Sequence, residues 1–92
     1  AWDRAKILKK TAELIRERAD AFAKALTMEQ GKPVAEAKGE VLQTADTFEW
    51  FAEEGKRAYG QVIPNSVPGK RHMVLKHPVG VVGSIGPWNF PM

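Results

Sequence analysis

Cysteine is absent from the 92 residues. No disulfide framework, zinc site or thiol nucleophile can be built from these residues alone, and a reducing compartment, the cytoplasm, is the expected location. Long apolar runs are also missing. No stretch approaches the roughly 18–20 residues that span a bilayer, so no membrane partner is expected. The basic-then-apolar layout of a secretory leader is not found at the start, where Ala1-Trp2-Asp3-Arg4 opens directly on a helical pattern.

Charge of one sign is scarce as well. Fourteen Lys and Arg stand against 11 Asp and Glu, a net charge of +3, but the signs are interleaved, as in Arg16-Glu17-Arg18 and Glu53-Glu54-Gly55-Lys56-Arg57. Mixed signs on a helix surface describe a solvated face. The densest basic stretch, Lys70-Arg71-His72, is too short to track phosphates and has no groove-reading element beside it, so nucleic acid is not an expected partner. A dinucleotide fingerprint is missing too. Gly80, Gly83 and Gly86 are spaced G-x-x-G-x-x-G, and Pro87-Trp88 follows them in place of a helix start or a Lys-Ser/Thr pair. These glycines read as points of close backbone approach. His72 and His77 lack the spacing and the carboxylate company of metal ligands or a catalytic base, and no metal is expected.

What is present is helical over the first two-thirds. Trp2, Ala5, Leu8, Ala12, Ile15 and Ala19 recur at three and four residues, widened by Ile7 and Leu14. Asp20 is placed to cap a second helix, which Gly31 and Pro33 stop. Pro33 suits the first turn of a third helix with an apolar face of Val34, Ala37, Val41, Ala45, Phe48 and Ala52, flanked by Leu42, Trp50 and Phe51 and ending near Tyr59-Gly60. Gly39 inside that pattern marks an expected close helix contact. Glu53, Glu54 and Arg57 are spaced for ion pairing along the helix. A loop follows at Pro64–Gly69, then a strand over Arg71–His77 and a second over Val79–Ile85. The last strand is apolar on both faces and needs neighbours that these residues do not supply. It runs into Pro87-Trp88-Asn89-Phe90-Pro91, and in α/β enzymes ligands bind just beyond the carboxyl ends of such strands. With no initiator Met, and with a final residue just past this turn, the chain is expected to be a piece of a larger enzyme.

Asn89 carries the chemistry of greatest interest. An amide held between Pro87 and Pro91 is a neutral, preorganised donor of the kind that stabilises a developing oxyanion. It can equally satisfy its own turn backbone, which residue chemistry alone favours. Trp88 and Phe90 can wall a small-molecule pocket or pack in a core, and composition does not separate the two.

The run Pro78-Val79-Gly80-Val81-Val82-Gly83 leading into Pro87-Trp88-Asn89-Phe90-Pro91 resembles the aldehyde dehydrogenase superfamily. So do Glu29-Gln30-Gly31-Lys32-Pro33 and Glu36-Ala37-Lys38-Gly39-Glu40-Val41. Within it, Glu49-Trp50-Phe51-Ala52-Glu53-Glu54-Gly55-Lys56-Arg57 and Tyr59-Gly60 look like the succinate-semialdehyde dehydrogenase branch, while Gly86 stands where Thr is more usual. The resemblance implies an α/β fold: N-terminal helices and the first strands of a three-layer Rossmann-type architecture, incomplete in this chain. It divides the residues into an N-terminal helical part of the cofactor domain (1–60), an oligomerisation strand region (61–78), and the first cofactor-domain strand with the active-site turn (79–92). It implies oxidation of an aldehyde to an acid with NAD or NADP. A Cys thiolate and a Glu-activated water, both outside these residues, carry the thioester chemistry. Asn89 then becomes the oxyanion donor, which reverses the turn reading. Ile85, Gly86, Pro87, Trp88 and Asn89 border the cofactor, and Phe90 borders the substrate tunnel. The resemblance also implies a homo-oligomer, dimer or tetramer, associating through the 60–78 region. The alternative is a non-catalytic scaffold or helical interaction module derived from the same family.

Overall fold

The computed structural model describes residues 1–92. Three helices, α1 (Trp2–Glu17), α2 (Ala19–Gln30) and α3 (Val34–Glu54), precede a short 3-10 turn, Gly55–Arg57. Two strands follow, β1 (Gln61–Ile63) and β2 (His72–Val74). Cross-links at Lys9–Glu53, Arg16–Asp46 and Asp20–Lys38 show α3 running back antiparallel along α1 and α2.

The seam between the helices is built from small residues. Ala12, Ile15 and Ala19 meet Val41 and Ala45, with Phe22 and Phe48 closing the flanks, and Ala23, Leu26 and Ala37 form a second cluster nearer the α2–α3 corner. Alanine lets helix backbones approach closely, so the apolar stripes need little bulk to exclude water. The stripes expected on α1 and α3 are largely those buried, with Leu8 and Phe48 half-buried and the flanking Ile7 exposed, and they give way at their ends. Trp2 and Val34 are exposed, and Trp2 instead lies under the Lys56 ammonium, 4.6 Å from the ring centre.

Several expectations are corrected. Asp20 does not cap α2: the helix starts one residue earlier, after Arg18, with no side-chain cap, and the Asp20 carboxylate pairs with Lys38 at 2.6 Å. Arg18 still donates its N–H to Leu14 and accepts from Phe22, so α1 and α2 are separated by a bend and not a loop. Pro33 is the residue before α3, where its carbonyl accepts from Ala37 N–H, and α3 ends at Glu54, ahead of Tyr59. Gly39 is exposed with no neighbour near its Cα, so it marks no close helix contact. Leu42, Trp50 and Phe51, beside the stripe, are exposed.

Gly31 does end α2 in the left-handed region, φ 91°, donating its N–H to Thr27 at 2.9 Å. That conformation costs glycine little and turns the chain straight into Lys32-Pro33. The strand expected over Arg71–His77 is shorter than its pattern, covering only His72–Val74. It pairs antiparallel with β1 in the register Gln61–Val74, Val62–Met73 and Ile63–His72. Gly60 is needed at the entry, since a Cβ there would overlap the Val74 carbonyl oxygen. The strand expected over Val79–Ile85 is not formed. Those residues have no ladder partner, and Val81 and Ile85 are fully exposed. An apolar pattern specifies a strand only where a neighbouring strand can take its backbone hydrogen bonds. No helix is long and apolar enough to cross a membrane.

Candidate active site

Residues 87–90 form a tight turn closed by the Phe90 N–H donating to the Pro87 carbonyl at 3.2 Å, with Trp88 and Asn89 at its tip. Pro87 presets the backbone ahead of the corner, and Pro91 holds the residue before it away from helical geometry. The Asn89 side-chain amide takes no part in closing this turn. Its backbone carbonyl is engaged instead, accepting from the Lys32 ammonium at 2.7 Å.

Lys32 is the centre of the site. Its ammonium bonds the Glu40 carboxylate through Oε2, donates to Asn89, and lies 4.5 Å from the centre of the Phe90 ring. The other oxygen of Glu40, Oε1, accepts the Met92 N–H at 3.1 Å. Both side chains are withdrawn from water, Lys32 to 10% exposure and Glu40 to 6%. Two charges so placed are tolerable only when each is paired and its remaining donors or acceptors are used. Here the ammonium meets a carboxylate, a carbonyl and an aromatic face.

The two stretches that carry the family resemblance, around Lys32 and around Asn89, thus meet in space across 57 residues of chain. Sequence reasoning quoted both and missed their contact. One signal was available: Glu40 lies three residues after Ala37 and five before Ala45, on the buried face of α3, where an unpaired carboxylate is not expected.

The expected cofactor-side residues occupy the exposed limb of the turn. Ile85 is fully exposed and Trp88 is 80% exposed, with Gly86 between them leaving the backbone uncovered. Phe90 faces the other way. Together with Glu40, Gln43, Thr44, Thr47 and Met92 it lines a cleft of about 370 Å³. A second cleft of about 360 Å³ opens between Trp88, Pro91, Glu29 and Gln30. His72 is on the exposed hairpin with its Nε2 2.7 Å from the Asn65 amide, and neither His joins a metal-holding cluster.

Remote from the turn, α1 and α3 are cross-linked by charge along their length. Glu53 receives hydrogen bonds from Lys9 and Lys56, which hold its carboxyl down at about 2. Arg16 bridges Asp46 and Glu49 at 2.7 Å each, which raises its pKa.

The family described as aldehyde dehydrogenase matches residues 1–92. Among curated relatives, the NADP(+) succinate-semialdehyde dehydrogenase of Escherichia coli (strain K12) is 53% identical over 91 residues, covering 99% of this chain and 19% of that protein. The glutarate-semialdehyde dehydrogenase of Pseudomonas putida is 52% identical over the same shares. Among solved structures, an NADP-dependent enzyme of E. coli superposes with a TM-score of 0.90 at 53% identity, over 97% of this chain and 18% of its own. Aldehyde dehydrogenase 21 from Physcomitrella patens, in complex with succinate as reaction product, superposes with a TM-score of 0.88 at 40% identity, over 99% and 20%. The chain therefore spans about a fifth of the length of the relatives it matches.

Proposed function

The chain belongs to the aldehyde dehydrogenase family, and from that membership we propose that it is part of an enzyme oxidising a semialdehyde to the carboxylic acid with NAD or NADP. Succinate semialdehyde is the foremost candidate, because relatives at about half identity carry the names of succinate- and glutarate-semialdehyde dehydrogenases. The nucleophile comes from outside these residues, since none of them is a Cys.

One observation carries the role of this segment: the turn closes through its own backbone, and Lys32 takes the Asn89 carbonyl, leaving the Asn89 side-chain N–H for a ligand. An amide donor in a fixed place suits an oxygen on which negative charge develops, because it needs no change of protonation. Ile85, Gly86, Pro87, Trp88 and Asn89 border the nicotinamide cofactor in this reading, and Phe90 borders the aldehyde. When bound, that cofactor supplies the hydride acceptor. Trp88 and Ile85 hold its ring by apolar contact, while Asn89 donates to the substrate oxygen.

The division into 1–60, 61–78 and 79–92 follows the same reading. The first part supports the turn, and the last carries it. The hairpin between them joins subunits of a homo-oligomer, a use that fits two short strands exposed on both faces.

The test is Asn89→Ala in the full-length protein. Loss of one oxyanion donor costs about 3–4 kcal/mol, so turnover should fall on the order of a hundred- to a thousandfold while cofactor affinity changes little. Near-normal kcat would make Asn89 a turn residue and return the segment to a scaffold role.

A further inference from the structure

We infer that Lys32 and Glu40 are positioning residues for the Asn89 turn: a buried ion pair at the α2–α3 corner sets where the Asn89 amide points. This rests on the reading of Asn89 as an oxyanion donor and assigns the means by which that donor is held.

Three contacts hold the C-terminal limb of the turn. Lys32 holds the Asn89 carbonyl at 2.7 Å, which fixes the peptide plane just after the residue whose side chain matters. Its ammonium also faces the next side chain, the Phe90 ring. Glu40 takes the Met92 N–H at 3.1 Å, beyond Pro91. Residues 79–86 make no ladder that could orient the turn from its other end. The anchor itself is rigidly mounted. Gly31 in the left-handed region and Pro33 hold Lys32 on both sides, and Glu40 projects from the second turn of α3. A lysine suits this position because its compact ammonium, with three donors on a flexible stem, can serve a carboxylate, a carbonyl and a ring face in different directions.

A buried pair is a costly way to fill space, and apolar residues of similar volume often serve stability as well. Energetics alone therefore gives no reason for the pair. Its three directed contacts to residues 89–92 do.

The experiment is a double-mutant cycle in the full-length enzyme, with Lys32→Met, Glu40→Gln and the paired Lys32→Met/Glu40→Leu, each with Asn89 and with Asn89→Ala. The paired variant leaves no lone buried charge, so it keeps the measurement interpretable should a single variant fail to fold. In the Asn89 background, kcat should fall roughly ten- to a hundredfold with little change in cofactor Kd, since a misplaced catalytic group loses rate on that scale. In the Asn89→Ala background the same substitutions should change kcat by no more than about twofold, because nothing is left to position. Full kcat in the paired variant, while Asn89→Ala is impaired, overturns the positioning role. An equal loss in both backgrounds also overturns it, by showing a structural effect independent of the amide. Unimpaired turnover in Asn89→Ala overturns the underlying reading of the site.

Discussion

At Asn89, exchanging an amide for a carboxylate changes sign as well as hydrogen bonding while preserving shape. Asn89→Asp offers no N–H when ionised and repels an oxyanion, so its kcat should fall below that of Asn89→Ala. Steady-state kinetics of the two variants side by side decide this. Trp88→Ala should instead raise the cofactor Kd and leave kcat nearer normal, as titration of cofactor binding would show, because the exposed indole offers contact area and no acid or base for the chemical step. Gly60→Ala should weaken the hairpin, since a Cβ cannot share space with the Val74 carbonyl; loss of amide protection at residues 61–63 and 72–74 is the measurement. Much of this was legible from residue types. Pro87, Asn89 and Pro91 announce a constrained amide, and Gly31 with Pro33 announces a helix end. Lys32 and Glu40 were not legible as a pair, because periodicity describes one helix at a time and a contact across 57 residues has no periodic signature.

Among the elements, α1 and α3 combine an alanine seam with an ionic clamp along their length, and the two respond to different perturbations. Ala45 is fully buried against Ala12 and Ile15, so Ala45→Leu should force the helices apart at a cost of about 1–3 kcal/mol, read as a lower denaturation midpoint. The clamp responds to pH. Glu53 is held at about 2, below its ordinary 4.5, so its contribution is complete above about 4.5 and is lost as pH falls towards about 2. Lys9 is raised by the same contact, so its share is complete below 10.5 and lost only as pH rises through its elevated value. Helical content followed by circular dichroism from neutral pH downwards should fall less steeply in Glu53→Gln across that acid window. Helix positions were readable from hydrophobic spacing, because α1, α2 and α3 bury one face against each other within the chain. The expected 79–85 strand was readable as a pattern only: β pairing needs a partner strand, and sequence records the demand without supplying the partner. Asp20 was misread for a local reason: Ala19 continues the helix across the bend, which puts Asp20 inside the first turn and leaves its carboxylate to pair with Lys38.

The whole molecule is long and thin, 64 × 25 × 21 Å with a radius of gyration of 19.1 Å, where a compact chain of this length would have roughly 12 Å. The helices supply the packed portion, and residues 79–92 are exposed throughout, with Val79, Val81, Ile85 and Trp88 uncovered. Apolar backbone without strand partners is an association hazard, so the 92-residue chain by itself should self-associate in light scattering and not give a monodisperse monomer. It should also produce no NADH or NADPH from aldehyde, because a covalent mechanism needs a nucleophile that these residues do not contain. The corner that holds the turn has a consequence for the timing of assembly. Lys32 and Glu40 are eight residues apart, and the Gly31–Pro33 turn with the first two turns of α3 brings them together. The residues they hold are made about fifty positions later. On a ribosome, where earlier segments fold first, the socket exists before its contents emerge. The order of synthesis therefore matches the order of construction, and a helical corner assembled wrongly leaves the turn without a place to dock.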